Sequence, residues 1–311
     1  MLSRRNIRIK VMQVLYAMNR DKALTPERAL TQYNHHIGQA YHLYLFNLYH
    51  LIKVADYAKF VQKKKREKLR PTPEDLAFRP KLAENDLIRS LHENKGLQSE
   101  FRFHKIPDKL SEDTSRLVYK KLESTEEYQA YLKNDNLSNL DHQKILLLLF
   151  KTMINHEVFE DILDENYLFW EDDKSLVVGA MKKTIKALPN DGAFYNAYQP
   201  STDTVKDFGE VLLNKVFADG QALFDIIEPT LKNWDAERVA VIDMILLKMA
   251  VCELMNFPTI PTKVTLNEFV EISKLYSTDK SKDFINGILD RLLKKLEKDG
   301  RVIKEGRGLI Q

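Results

Sequence analysis

An all-α fold is predicted from three features of the sequence. The 311 residues include only ten glycines and ten prolines, which is few for this length. Leucine, lysine and glutamate, which favour helices, are abundant. Apolar side chains recur at steps of three and four residues in many segments, the spacing of one helix face. The length allows one large or two medium domains.

The first helix is predicted over residues 3–19. One face is apolar at helical spacing and consists of Ile7, Val11, Val14, Leu15 and Met18. The first turns carry the cations Arg4, Arg5, Arg8 and Lys10. Cations are unfavourable near a helix N-terminus, so the cluster predicts an anion-binding site, with a solvated basic end as the alternative. The opposite face suggests a docking surface formed by Ile9, Gln13, Tyr16 and Arg20.

Residues 24–203 give weaker signals. Residues 29–60 are rich in tyrosine and predict one or two helices, and helical periodicity returns over residues 113–188. Four histidines lack a carboxylate or cysteine at ligand spacing, so no metal site is predicted at His35, His36, His42 or His50. The basic run Lys63-Lys-Lys-Arg-Glu-Lys-Leu-Arg70 is either a solvated helix end and linker or a second nucleic-acid contact.

Strong helical patterns follow from residue 203 onward. One helix is predicted over residues 203–231, with Gly220 as the point at which it divides into two. Another is predicted over residues 234–254 and ends at Asn256-Phe-Pro258, because the residue before proline is driven out of the helical region. Its inward side chains are Val239, Ile242, Ile245, Leu246 and Met249.

The next helix is predicted to begin at Thr265. Thr265 and Glu268 have the spacing of a capping box, and Val264 and Phe269 have the spacing of a hydrophobic staple. Such a pair of signals defines both the first helical residue and the direction from which the chain approaches it.

A last helix is predicted after the polar break at residues 277–281. Its apolar stripe consists of Phe284, Ile285, Ile288, Leu289, Leu292, Leu293 and Leu296. Gly287 lies within this stripe, where glycine costs about 1 kcal/mol of helix stability relative to alanine. Close approach of another backbone is the expected reason for it, with a merely tolerated glycine as the alternative.

Several classes of protein are excluded by what the sequence lacks. No run of eighteen apolar residues occurs and the first residues lack signal-peptide features, so a cytoplasmic protein is expected. The single cysteine, Cys252, excludes an internal disulfide and a cysteine-based zinc cluster. No phosphate-binding glycine loop or nucleophile–base constellation appears, so neither enzyme activity nor a cofactor is expected. The net charge of +3 is too small to argue for nucleic acid by itself.

Four segments in one order carry a family resemblance. The first is Arg4-Arg-Asn-Ile-Arg8 leading into Met12-Gln-Val-Leu-Tyr16, and the second runs from Trp234 and Arg238 through Ile242-Asp-Met-Ile-Leu to Glu253-Leu. The third is Lys263-Val-Thr-Leu-Asn-Glu-Phe-Val-Glu271, and the fourth is Phe284-Ile-Asn-Gly-Ile-Leu-Asp290. Together they resemble the NusB family of transcription antitermination factors.

The resemblance implies an all-α NusB-like bundle of orthogonal three-helix units that binds RNA. The expected partners are single-stranded boxA-type RNA of nascent ribosomal RNA transcripts, the NusE ribosomal protein, other elongation factors and RNA polymerase. The implied RNA-binding residues are Arg4, Arg5, Arg8, Lys10, Gln13, Lys263, Phe284 and Asn286. The implied partner-binding residues are Tyr16, Asp243 and Lys280.

The resemblance also divides the chain. Residues 1–23 and 204–300 match the family, residues 24–203 are expected to be an inserted or additional helical module, and residues 301–311 a basic tail. Because the function of the module is open, the alternative hypothesis is a NusB-like protein-interaction scaffold that does not bind RNA.

Overall fold

The computed structural model describes residues 2–109, 112–231 and 239–309, apart from the side chains of Glu112 and Arg307. Within these ranges every regular element is a helix, which confirms the predicted fold class. The α-helices are α1 (Arg4–Arg20), α2 (Pro26–Arg66), α3 (Pro73–Ala77), α4 (Lys81–Glu84), α5 (Asp86–Glu93), α6 (Lys95–Phe103), α7 (Glu112–Glu123), α8 (Glu126–Lys133), α9 (Asn139–Ile154), α10 (Glu157–Asn166), α11 (Trp170–Ala187), α12 (Val211–Ala218), α13 (Gly220–Ile227), α14 (Val241–Asn256), α15 (Thr262–Tyr276) and α16 (Ser281–Lys298).

The chain forms two compact units. The central unit is Gly38–Gln199, and the terminal unit combines Leu2–Ile37 with Pro200–Gln311. The long helix α2 supplies its first part to the terminal unit and the rest to the central unit. Each unit has a hydrophobic core of its own.

Helix α14 lies in the middle of the terminal unit. It contacts α1, α12, α13, α15 and α16. Its apolar side chains point in all directions, as expected for a helix that is covered on every side. Cys252 on this helix is fully buried, and burial raises the pKa of its thiol to about 12. It is therefore the small buried hydrophobic residue that the sequence predicts.

The central unit is built on the second part of α2. This part buries a series of aromatic side chains, among them Tyr44 and Phe46. The Tyr44 hydroxyl forms a 2.8 Å hydrogen bond with the Thr184 hydroxyl of α11. His50 is completely buried with its ring 4.2 Å from the Phe46 ring. The tyrosine-rich segment thus forms one continuous helix.

Several helix predictions are confirmed. The first and last predicted helices correspond to α1 and α16, and the division at Gly220 is confirmed because this residue begins α13. The helix predicted from residue 234 begins at Val241 among the described residues. Trp234 and Arg238, which belonged to that prediction and to the family resemblance, lie outside the described residues.

Two local predictions are wrong. Helix α15 begins at Thr262 after Pro261, so Thr265 is an interior residue whose N–H donates to the Pro261 carbonyl at 3.1 Å. Its hydroxyl instead serves a buried partner described below. Gly287 has no atom within 4 Å of the position that a Cβ would occupy. No backbone among the described residues approaches this position, so the glycine is simply tolerated in α16.

Two further properties concern the described residues as a whole. None of their helices combines the length and the apolar character needed to cross a lipid bilayer. In these ranges no three histidine, cysteine, aspartate or glutamate side chains are grouped so that they could hold a metal ion.

Candidate nucleic-acid interface

The first turn of α1 is held by a reciprocal cap. The Ser3 hydroxyl accepts a hydrogen bond from the Asn6 N–H at 3.4 Å, and the Asn6 side chain accepts one from the Ser3 N–H at 3.0 Å. This arrangement satisfies two of the N–H groups that a helix N-terminus leaves without partners. The arginines that follow therefore project from an ordered helical turn.

Arg8 is an internal side chain. It is 1% exposed and donates two hydrogen bonds, of 2.7 and 2.6 Å, to the carboxylate of Glu253, which is fully buried on α14. The same carboxylate accepts a 2.7 Å hydrogen bond from the Thr265 hydroxyl on α15. The guanidinium lies 5.0 Å from the centroid of the Phe208 ring and 5.7 Å from that of Phe269. Arg8 thus ties α1 to α14 and α15.

Arg5 forms a second pair at the surface. Its Nε and Nη2 donate to the two carboxylate oxygens of Glu268 on α15, each at 2.8 Å. The Arg5 side chain is 47% exposed. The hydrogen bond that Arg5 donates to Glu268 is the largest effect on the arginine pKa, which is raised above its ordinary value. Arg5 can therefore be reached by a phosphate, but Glu268 competes for its donors.

Arg4 is exposed beside an open groove of about 400 Å³. The start of α1 forms one side of the groove and the start of α15 the other. The lining residues are Ser3, Arg4, Arg5, Arg8, Ile260, Pro261, Val264 and Glu268. Cations, one carboxylate and apolar side chains thus line the same groove, and the cations can bind phosphates.

A short π-helix, Asp203–Glu210, packs against the arginines of α1. It carries Phe208, whose buried ring lies 5.6 Å from the Arg4 guanidinium as well as under Arg8. The Tyr33 hydroxyl donates to the Val205 carbonyl within this segment at 2.9 Å. A Cβ at Gly209 would lie 1.8 Å from that hydroxyl oxygen and 2.6 Å from Ile7. Only glycine therefore allows the π-helix to pack this closely on α1 and α2.

The positions of Arg8, Lys10 and Ile9 require corrections. Arg8 and Lys10 are each 1% exposed, so the prediction that they contact RNA directly does not agree with their burial. Ile9, expected on a docking face, is 6% exposed and belongs to the core. The inner face of α1 is therefore wider than its five regularly spaced apolar residues indicated. The buried Lys10 also affects a neighbour: burial, assisted by the charge of Lys10, lowers the pKa of His36 to about 4.

The other predicted RNA-binding residues are spread over three helices. Lys263 is exposed at the start of α15, next to the groove residue Val264, and Gln13 is half-buried on α1. Phe284 is half-buried in the first turn of α16 and packs against the terminal core, whereas Asn286 is exposed. Neither Phe284 nor Asn286 lines the groove. Of the predicted RNA-binding residues with exposed side chains, the groove therefore brings together Arg4 and Arg5.

The predicted partner-binding residues differ in exposure. Tyr16 is 39% exposed on α1, and Lys280 is exposed just before α16. Asp243 is 4% exposed and accepts a 2.7 Å hydrogen bond from the Ser281 hydroxyl. The expectation that Asp243 faces a partner is therefore corrected. This carboxylate joins the first turn of α14 to the first turn of α16.

The sequence did not identify four residues of the interface as functional positions: Phe208, Glu253, Thr265 and Glu268. One of them had a usable signal. Glu253 lies among apolar residues in the second half of α14, and a buried acid requires a cationic partner. The other three had no local signal, because their partners lie on distant segments.

Comparisons with known proteins agree on one family. The model of the NusB family matches residues 178–294, which include the end of α11, α12 to α15 and most of α16. The chain is similar to the transcription antitermination protein NusB of Salinibacter ruber, with 43% identity over 111 residues, 36% of this chain and 68% of that protein. No solved structure matches the chain.

Two further relatives have the same printed name, transcription antitermination protein NusB. The protein of Natranaerobius thermophilus is 34% identical over 129 residues, which are 42% of this chain and 86% of that protein. The protein of Chloroherpeton thalassium is 40% identical over 105 residues, which are 34% of this chain and 50% of that protein. All three similarities cover less than half of this chain.

Proposed function

Because the chain belongs to the NusB family, we propose that it acts in transcription antitermination. In this proposal the terminal unit binds boxA-type single-stranded RNA of nascent ribosomal RNA transcripts together with the NusE ribosomal protein. RNA polymerase and other elongation factors complete the assembly. The protein acts by binding, and no catalytic step is part of the proposal.

One observation carries the RNA-binding part of the proposal. Arg4 and Arg5 are exposed beside one groove, on a helix that the buried Arg8–Glu253 pair holds in place. Cations on a preformed helix contact phosphates without the entropic cost of ordering a loop. The apolar groove wall with Ile260, Pro261 and Val264 can exclude water from a base that lies against it. Arg4 and Arg5 are therefore proposed as phosphate contacts, and Arg8 as a positioning residue.

The local charge balance favours weak binding of RNA alone. Arg5 is already paired with Glu268, and this carboxylate also lies 3.7 Å from Arg8. A phosphate at Arg5 must share the guanidinium with Glu268 or approach the part of it that faces solvent. Two exposed arginines and Lys263 supply few contacts, so a protein partner that adds its own RNA-binding surface is expected to strengthen the complex.

The proposal is tested by RNA binding at several salt concentrations, with and without NusE. The double substitution Arg4→Ala with Arg5→Ala is expected to weaken binding of boxA-type RNA about tenfold and to reduce the salt slope by about 1.4. The matched control is Lys295→Ala with Lys298→Ala, which removes two exposed cations from the far end of α16. An equal slope in the double variant and in this control would reject the arginine site.

A second candidate function is a NusB-like scaffold that binds proteins without RNA. The burial of Arg8 and the pairing of Arg5 favour it, because they leave few cations for phosphate. The same titrations separate the two functions. A scaffold would bind NusE but would show no RNA affinity beyond that of NusE alone.

A further inference from the structure

The basic run of residues 63–70 has no role in the function proposed above. It forms the last turn of α2 and the loop that follows, within the central unit. The exposed cations in and just before it are Lys59, Lys63, Lys64, Arg66, Lys68 and Arg70. The sequence left two interpretations open for this run, a solvated helix end and a nucleic-acid contact.

Two cations of the run have a structural role. Lys68 lies 2.8 Å and Lys65 lies 3.7 Å from the buried carboxylate of Asp75, which also accepts a hydrogen bond from the Thr72 N–H at 3.1 Å. These contacts hold the loop after α2 against the helix end. The other cations of the run are therefore presented on an ordered surface.

The remaining cations are little compensated. Lys63 has only a 3.8 Å contact with the exposed Glu67. In the described part of the chain, Lys64, Arg66 and Arg70 form no ion pair. Cations of this density with so little acidic compensation attract a polyanion and also raise the free energy of the unoccupied surface through mutual repulsion.

An exposed aromatic side chain lies beside one of these cations. Phe60 is 42% exposed, and the Lys64 ammonium lies 4.7 Å from the centroid of its ring. The Phe60 ring also packs against Tyr57, with the ring centroids 5.2 Å apart. An exposed and supported ring next to phosphate-binding cations is the arrangement on which single-stranded nucleic acids stack their bases.

The simpler explanation is that cations stabilise the C-terminus of a helix through its dipole. Helix α11 allows the two explanations to be separated. Its last turns carry Lys182, Lys183 and Lys186, all exposed, and no exposed aromatic side chain accompanies them among its described residues. Helix dipole stabilisation applies to both helix ends, whereas of these two described ends that of α2 alone has an exposed ring beside its cations.

We propose that Phe60, Lys63, Lys64, Arg66 and Arg70 form a second contact for single-stranded RNA, carried by the central unit. The cations bind phosphates and the Phe60 ring stacks on a base. The choice of RNA rather than an acidic protein rests on the function proposed above and on Phe60, since an acidic peptide needs cations but no exposed ring. The surface is contained in the central unit and does not require the arginines of α1.

The test uses the full chain and a fluorescent oligouridylate of about 20 nucleotides, a length that exceeds one binding site. The triple substitution Lys63→Gln, Lys64→Gln and Arg66→Gln is expected to weaken binding at least about tenfold and to lower the salt slope by about 2. The control Lys182→Gln, Lys183→Gln and Lys186→Gln removes the same charge from α11. It is expected to leave the binding affinity and the salt slope nearly unchanged. Equal losses in the two triple variants would overturn the proposal, because they would show a response to net charge alone.

Phe60→Leu tests the stacking contact with every cation retained. It is expected to weaken binding about fivefold or more while leaving the salt slope unchanged. Circular dichroism and urea unfolding verify that each variant is folded. If Phe60→Leu binds as the parent does, or if polyglutamate competes as effectively as RNA, the surface is a site for acidic protein and the proposal fails.

The two RNA sites can fail separately. In a chain with Arg4→Ala and Arg5→Ala, the remaining oligouridylate binding is expected to disappear when the triple substitution at residues 63, 64 and 66 is added. Loss of the α1 effect alone would reject the arginine site and leave this inference standing. Loss of the residue 63–66 effect alone would reject this inference and leave the proposed function standing.

Discussion

Arg8 and Glu253, 245 positions apart in the chain, form a buried bidentate ion pair with hydrogen bonds of 2.7 and 2.6 Å. The pair links the first helix of the chain to α14 in the middle of the terminal unit. An arginine cluster at a helix N-terminus thus contains two kinds of side chain. One anchors the helix, and the others remain at the surface.

Arg8→Ala is expected to destabilise the protein by about 3–5 kcal/mol, because it leaves the Glu253 carboxylate buried without a cation. Arg8→Lys should restore only part of this stability, since lysine cannot donate the same two parallel hydrogen bonds. Urea unfolding measures both effects. Arg4→Ala serves as the control, and its free energy of unfolding should stay within about 0.5 kcal/mol of the parent value. Equal stabilities for the variants at positions 4 and 8 would contradict the anchoring role.

Glu268→Gln is expected to increase RNA affinity about threefold. The substitution removes the carboxylate that competes with phosphate for Arg5, and it removes one negative charge from the groove. The measurement is a titration with boxA-type RNA at low salt. Glu297→Gln is the matched control, because it removes one exposed negative charge near the end of α16, away from the groove. If both variants gain equally, the increase reflects overall charge rather than release of Arg5.

Two glycine substitutions in the terminal unit are expected to have opposite signs. Gly287→Ala should stabilise the protein by about 1 kcal/mol, because the Cβ has open space and alanine favours the helix. Gly209→Ala should destabilise it by more than about 1 kcal/mol, since the new Cβ collides with Tyr33 and Ile7. Thermal unfolding of the two variants measures both changes in stability. Equal melting temperatures would be inconsistent with the packing described for the π-helix.

The stability of the central unit is expected to fall in acid because of His50. Burial lowers the pKa of this imidazole to about 4, below its ordinary value of about 6.5. The folded state then binds fewer protons than the unfolded state between these two values. Stability is therefore fully present above about pH 6.5 and decreases as the pH falls to about 4, by up to about 3 kcal/mol.

His50→Asn tests this origin of the pH dependence. Asparagine keeps a donor near the Phe46 carbonyl, which lies 3.2 Å from Nδ1 of His50, but it does not titrate. Urea unfolding at several pH values should give a flatter dependence for the variant than for the parent between about pH 6.5 and about pH 4. Parallel curves for the two proteins would assign the pH dependence to other groups.

Local patterns account for what could be predicted of the fold. The stripes of α1 and α16 lie at steps of three and four residues, and such a face forms a helix wherever a core receives it. The capping-box pattern at Thr265 predicted the wrong start for α15, because the helix begins one turn earlier. Its hydroxyl is used by Glu253 across the core, a partner 12 positions away that the pattern does not contain.

The candidate site shows the same limit. The amino-acid sequence by itself determined an all-α protein, a cationic first helix and the motifs of its family. It did not distinguish Arg5 from Arg8, since the two have the same chemistry and lie three residues apart. The tertiary structure alone decided that Arg8 faces the core and Arg5 the groove. The physical reason is that a buried charge is stable only beside an opposite one, and Glu253 reaches Arg8 only after the chain has folded.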